Sequence, residues 1–219
     1  MEISRAAFNR IPAYIKLLHE ISPQKEYISA TSIASMLGLG EVQVRKDLAA
    51  LCGRGRPKVG YKTQELIASL TGYLSEQGGK TVIVGAGKLG SALLDYSGFA
   101  QYGLSVLAAF DIKVTEPIVS GGGKPIYPLT VLPEFCRSRA VNIGIIAVPA
   151  ASAQAAFDAL YQSGVRAVCC FAPCTLCVPA DATVQYENLA LSLAHLKVRT
   201  GFCERQNQKI NIHKEENNA

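Results

Sequence analysis

The sequence predicts an α/β chain in two parts: a small helical domain over residues 1–79, then a doubly wound parallel sheet over residues 80–219. Three observations predict it. Residues 81–94 read as a buried strand, a glycine turn and a helix. From there, apolar β-branched runs alternate with helical ones, the pattern of a parallel sheet covered on both faces. Before it, two short helical patterns meet at Gly38 and lead into a basic, glycine-rich stretch.

Composition sets the bounds. With 219 residues, 49% of them hydrophobic, the chain is globular and long enough for one large domain or two modest ones with real cores. No apolar run is long enough to cross a bilayer, and Met1 to Arg10 lacks the apolar core of a signal peptide, so a cytoplasmic protein is expected. The seven cysteines are odd in number and scattered through apolar segments, which predicts reduced thiols rather than a disulfide framework. The net charge of +5 is modest, so where the charges lie matters more than their sum.

Ile3 to Ile21 reads as one amphipathic helix, with Ile11, Ile15, Leu18 and Ile21 at helical spacing and His19 as a surface or packing residue. Lys25 to Ala30 reads as a connector. Thr31 or Ser32 is expected to cap a short helix that buries Ile33, Ala34 and Leu37 and ends at Gly38. A second helix, Glu41 to Leu51, places Val44, Leu48 and Leu51 inward and leaves Gln43, Arg45, Lys46 and Asp47 on its exposed sides. Two short helices around a glycine turn, the second carrying polar and basic side chains, predict a helix-turn-helix.

Cys52 to Lys62 follows at once and reads as the wing of a winged helix. From Arg45 to Lys62 six basic residues stand against one acid, Asp47. That density suits phosphate contacts from Arg45, Lys46, Arg54, Arg56 and Lys58, with Gln43 reading base edges. Thr31, Ser32, Asp47 and Tyr61 complete the candidate interface with double-stranded DNA. Thr63 to Gln77 predicts one more helix, and Gln77-Gly78-Gly79-Lys80 a domain boundary.

The glycine turn, Gly85-Ala86-Gly87-Lys88-Leu89-Gly90, fits the G-x-G-x-x-G pattern of a Rossmann domain. There the first glycine permits the tight turn and the second lets the backbone approach a pyrophosphate. The third lets the helix pack on the strand with its N-terminus aimed at the phosphates. A second strand, Leu104 to Asp111, brings a carboxylate about 20 residues later, where it can accept from a ribose 2′-hydroxyl. An acid there favours NAD(H) over NADP(H), whose 2′-phosphate it would repel. Further strands are expected at Pro125 to Leu129, Val141 to Val148 and Val165 to Phe171. Helices are expected around Leu132 to Ser138 and over Ala151 to Ser163. In such a sheet Asp111, Pro149 and Pro173 lie at the ligand rim. Leu189 to Val198 predicts a last amphipathic helix that comes after a complete sheet, so its apolar side needs somewhere to go, and a partner subunit is the expected place. Glu204 to Ala219 is polar and expected to fray.

In Val44-Arg45-Lys46-Asp47-Leu48, Val59-Gly60-Tyr61, Val84 to Gly90, Asp95 to Phe99, Ala109-Phe110-Asp111 and Phe171-Ala172-Pro173, the chain resembles the bacterial redox-sensing transcriptional repressors called Rex, across nearly its full length. The resemblance implies a homodimer, with the last helix exchanged between subunits, that binds palindromic operators when NAD⁺ dominates and releases them when NADH binds. It adds Tyr96, Val148, Phe171 and Ala172 to the nucleotide-binding residues.

Three departures from that pattern stand out. Ala190 falls where the family carries an acid that a partner subunit brings towards Tyr96 and Lys16, so the redox switch is expected to be weaker or differently wired. Pro57-Lys58 replaces a wing glycine. Cys174-Thr175-Leu176-Cys177, near Cys169 and Cys170, replaces apolar residues. That C-x-x-C reads as a thiol switch, half a zinc site, or small buried hydrophobes; no second pair or nearby histidine completes a zinc site, so no metal is expected.

Two other functions compete. A dehydrogenase needs a proton donor beside the nicotinamide, yet none of His19, His195 and His213 follows a sheet strand, so no catalytic residue is expected. A regulator answering to another nucleotide, such as coenzyme A, would use the same turn.

Overall fold

The computed structural model describes residues 3–76 and 78–198. The first stretch forms not one helix but two, α1 (Arg5–Phe8) and α2 (Ile11–Ile21). Pro12 lies in the first turn of α2, where it offers no N–H to the preceding turn and so cannot carry the hydrogen-bond ladder on from α1. The expected connector holds β1 (Tyr27–Ile28), which pairs antiparallel with β2 (Tyr61–Lys62) beyond the wing. Helix α3 (Ala30–Leu37) starts earlier than expected. Ser29 is its cap, accepting from the Ser32 N–H at 3.0 Å, and Gly38 ends it in the left-handed conformation at φ 65°. Helix α4 spans Glu41–Cys52 and α5 spans Thr63–Glu76. Ile11, Ile15 and Leu18 of α2, Ile33 of α3, Val44 and Leu48 of α4, and Leu66 and Leu70 of α5 close one core.

The second core is a seven-stranded sheet. Its strands are β3 (Lys80–Val84), β4 (Ser105–Asp111), β5 (Ile118–Val119), β6 (Pro125–Pro128), β7 (Ile143–Ile146), β8 (Ala167–Cys170) and β9 (Thr183–Tyr186). They stand in the order β5-β6-β4-β3-β7-β8-β9, parallel throughout except for β5. The reversal between β4 and β7 around β3 is the switch point of a doubly wound fold. Helix α6 (Lys88–Asp95) covers one face with Leu94 against Ile83, Ala109 and Ile145. On the other, α7 (Leu132–Arg139) and α8 (Ala150–Gln162) bring Leu132, Phe157 and Leu160 against Val82, Phe110 and Val168. The sequence reading lacks β5 and β9. Both are edge strands of two and four residues with largely exposed side chains, so neither shows a buried alternation.

The two cores touch through the turn at Ser97–Tyr102: Tyr102 packs on the helical core, and the Thr71 hydroxyl donates to the Gln101 carbonyl at 3.2 Å. After β9, residues 189–198 are helical and every one of them is exposed, with Leu193 at 66% and Val198 at 71%. Among the described residues, the apolar side chains of this helix stay open to solvent. The polar tail from Glu204 lies outside the described residues.

Candidate nucleic-acid interface and dinucleotide site

Helix α4 has two opposed stripes. At 3.6 residues per turn, Val44, Asp47, Leu48 and Leu51 share one face, and Val42, Arg45, Lys46 and Ala49 share the other. The first faces the core: Val44 and Leu48 are fully buried. Asp47 goes with them, at 6% exposure, which corrects the expectation that it meets DNA. Its carboxylate accepts from Arg10 Nε at 2.8 Å, Arg10 Nη2 at 3.0 Å and the Tyr14 hydroxyl at 2.7 Å. Burial, and then the hydrogen bond to Asp47, push the Tyr14 phenol up to about 12, so it stays a donor. The Arg10 guanidinium, held by Asp47, is raised further above its ordinary value. With its amide oxygen turned towards Arg10, Gln43 accepts from the same guanidinium at 3.0 and 3.1 Å. Two residues of the α2 start thus pin the side of α4 opposite the basic stripe. Sequence reading missed them, although Tyr14 lies one turn after Arg10 on the buried face of α2.

Arg45 and Lys46 look out into a groove of about 690 Å³ between α4, the start of α3 and the wing. Thr31, Arg54, Arg56, Lys58 and Tyr61 line it too. Ser32 does not; its half-buried hydroxyl is 2.9 Å from Ser29 at the helix cap. The wing is a tight hairpin in which Arg56 and Gly60 exchange backbone hydrogen bonds at 2.8 and 2.9 Å. Lys58 sits at its tip with a left-handed φ of 63°. The Tyr61 hydroxyl donates to the Gly53 carbonyl at 3.1 Å and ties the hairpin to its stem. Five of the six basic residues picked out by the sequence line this groove, an arrangement that can neutralise phosphates at close range. Arg45 pairs with Glu41 one turn before it on the same exposed side.

The glycine turn lies at the carboxyl ends of the central strands. The Gly85 N–H donates to the Phe110 carbonyl at 2.7 Å, Ala147 N–H to Val84 at 2.8 Å, and Phe171 N–H to Ile146 at 2.9 Å. Those bonds lay Gly85, Asp111, Val148 and Phe171 along one rim. Gly85 has φ 101°, and a Cβ there would meet the Ala147 carbonyl oxygen at 2.6 Å. A Cβ at Gly90 would strike the Gly85 carbonyl, so the third glycine sets the distance from α6 to the turn. At Gly87 a Cβ would meet nothing within 4 Å. The open glycine lies at the N-cap of α6, where no side chain caps the helix. A tight turn, a close helix and open space over the middle glycine fit a dinucleotide pyrophosphate.

Asp111 braces this turn. Its Oδ2 accepts from the Ala86 N–H at 2.7 Å and its Oδ1 from the Lys113 N–H at 2.8 Å. Each oxygen keeps a lone pair for a ribose hydroxyl. Lys88 and Leu89 are exposed in the first turn of α6. Tyr96, 57% exposed, stands just past α6 with its ring edge-on to Phe99 at 5.2 Å. Pro149 and Pro173 are exposed beyond β7 and β8, and Ala172 is buried in the core. Lys16, on α2, and Ala190, on the last helix, are both exposed.

Around the C-x-x-C, Cys174 is half-buried and Cys177 exposed. The Cys177 backbone is clasped by the Gln154 amide at 2.9 and 3.3 Å. Cys170 is fully buried, and burial raises its thiol; burial pushes Cys169 up to about 11. Among the described residues no three metal-ligating side chains gather. Likewise, among them no helix is long and apolar enough to cross a membrane.

Known proteins share this arrangement. A family model described as a putative DNA-binding protein N-terminus matches residues 2–49, and one described as a CoA binding domain matches residues 76–174. The chain is 35% identical to the redox-sensing transcriptional repressor Rex of Treponema denticola over 86% of its own length and 91% of that protein. It is 32% identical to the Rex of Bacteroides fragilis over 93% of each. Among solved structures it resembles RSP bound to β-NAD⁺ and operator DNA, with a TM-score of 0.71, 28% identity, and 95% and 97% of the two chains covered. RSP bound to β-NADH gives 0.69 at 28% identity, with 95% and 99% covered.

Proposed function

The chain belongs to the Rex family of redox-sensing transcriptional repressors, and from that premise we propose how its residues bind operator DNA and how NADH ends that binding. One observation carries the reading: a single chain joins a basic groove beside an exposed helix stripe to a glycine turn built for a dinucleotide. Arg45, Lys46, Arg54, Arg56 and Lys58 hold phosphates, and α4 enters the major groove. Gly85 to Gly90 takes the pyrophosphate and Asp111 the adenine-side ribose, with Tyr96, Val148, Pro149 and Phe171 to Pro173 towards the nicotinamide. The domains meet at Gln77 to Lys80.

The chain acts in the cytoplasm as a homodimer, because a palindrome needs two α4 helices and the apolar helix 189–198 needs a cover. That helix crosses to the partner subunit. To act as a switch, the dimer must bind NADH more tightly in the form that cannot hold DNA. The oxidised nicotinamide is positively charged and the reduced ring neutral, so groups near the ring can tell them apart electrostatically. Catalysis is not assigned: His19 is half-buried in α2 and His195 lies on the last helix.

The match to a CoA-binding family favours one competing reading, a coenzyme A effector at the same turn. The test is operator binding by anisotropy, on a palindrome selected from random DNA, titrated separately with NADH, NAD⁺ and coenzyme A. Release by NADH alone is expected. Release by coenzyme A alone would move the effector, and indifference to all three would remove the switch from this turn.

Replacing Arg45 or Lys46 by alanine is expected to weaken binding to any DNA sequence and to flatten the salt dependence by about one unit of slope each. Unchanged slopes would take them out of the interface. Replacing Asp111 by alanine is expected to weaken NADH binding roughly tenfold, the scale of a hydrogen bond to a charged group. Nucleotide-free DNA binding should hold; intact NADH affinity would refute the ribose role.

A further inference from the structure

The exposed stripe of α4 contains one large apolar residue, Val42, in the first turn of the helix and 67% exposed. Single exposed valines are ordinary on a protein surface. The place of this one is not. It stands one turn before Arg45 and Lys46 on the same side of α4, opposite the stripe that Val44, Asp47 and Leu48 bury. The residues that sequence reasoning would pick to read bases are committed elsewhere: Asp47 is closed off by Arg10 and Tyr14, and Gln43 reaches back to the same guanidinium. Arg45 carries charge and is paired with Glu41 one turn before it.

In a helix-turn-helix the N-terminal residues of the second helix meet the base edges. An apolar side chain there has one distinctive target in the major groove, the C5 methyl of thymine. We propose that Val42 selects the operator by packing its isopropyl group against a thymine methyl, so that shape carries sequence preference while the cationic residues carry affinity. The inference rests on the DNA-binding reading above.

The test crosses a protein variant with a DNA variant. In the selected palindrome each thymine is replaced in turn, symmetrically in both half-sites, by deoxyuridine, which lacks only the methyl. Val42→Ala is compared with the parent protein, and the exposed position makes a folding defect unexpected. For the parent, one thymine is expected to cost about fourfold in affinity per half-site when demethylated, the scale of one buried methyl. Val42→Ala should bind the thymine and deoxyuridine duplexes equally at that position, with the salt slope of the parent. A parent protein indifferent to every replacement overturns the proposal, as does an alanine variant that keeps the parent's sensitivity. If the parent bound no DNA at all, the DNA-binding reading itself would fall, and this inference with it.

Discussion

Replacing Asp47 by alanine is expected to lower the stability of the helical domain by about 2–4 kcal/mol. The range lies somewhat below that for breaking a fully buried ion pair, because Arg10 keeps a partly open side. The loss has three parts: two guanidinium hydrogen bonds, the acceptor for the Tyr14 hydroxyl, and a half-buried cation left without its carboxylate. For a domain of this size each kcal/mol moves the melting midpoint by roughly 4–8 °C, so calorimetry should see the change easily. Asp47→Asn should cost less, since an amide oxygen still accepts from Tyr14 or Arg10. DNA affinity should fall together with stability. An alanine variant that melts like the parent but binds DNA poorly would return Asp47 to the interface, where its place in V-R-K-D-L had suggested it.

The second large effect is expected in the glycine turn, where two glycines should behave oppositely. Gly90→Ala forces a methyl into the Gly85 carbonyl, so α6 must back away from the strand it follows. NADH binding is expected to fall by two orders of magnitude or more, about the consequence of moving a phosphate-binding helix end out of reach. The melting midpoint should fall as well. Gly87→Ala meets nothing and has an unstrained backbone at φ −67°, so its fold should be untouched. Its methyl nevertheless fills the space above the turn, and NADH affinity should drop without any change in melting. Nucleotide titration and thermal unfolding on both variants check this. If Gly87→Ala bound NADH like the parent, the pyrophosphate would have to lie elsewhere.

Much of this architecture was legible because it rests on local pattern. Thr81 to Val84 could only be a strand buried on both faces, and Gly85, Gly87 and Gly90 had to be a turn into a helix. What was not legible depends on partners distant in sequence. Asp47 looked exposed because aspartate usually is, yet its spacing from Val44 and Leu48 already placed it on the inward stripe. The missing knowledge was that Arg10 and Tyr14, more than thirty residues away, would satisfy it. The cap of α3 went to Ser29 rather than Thr31 or Ser32, a choice among three neighbouring hydroxyls that β1 decides by fixing where the chain turns. The strands β5 and β9 escaped because an edge strand needs ladder bonds from its neighbour more than apolar side chains.

The sheet ends at Tyr186, and the helix of residues 189–198 stays exposed among the described residues. In the proposed homodimer, folding and assembly would therefore be separable events. A newly made chain would finish both of its hydrophobic cores first and meet a second copy later. By mass action, occupancy of a two-fold operator would then depend on the supply of the protein as well as on the nucleotide it carries. Abundance would become a second input, steepest near the concentration at which pairs form.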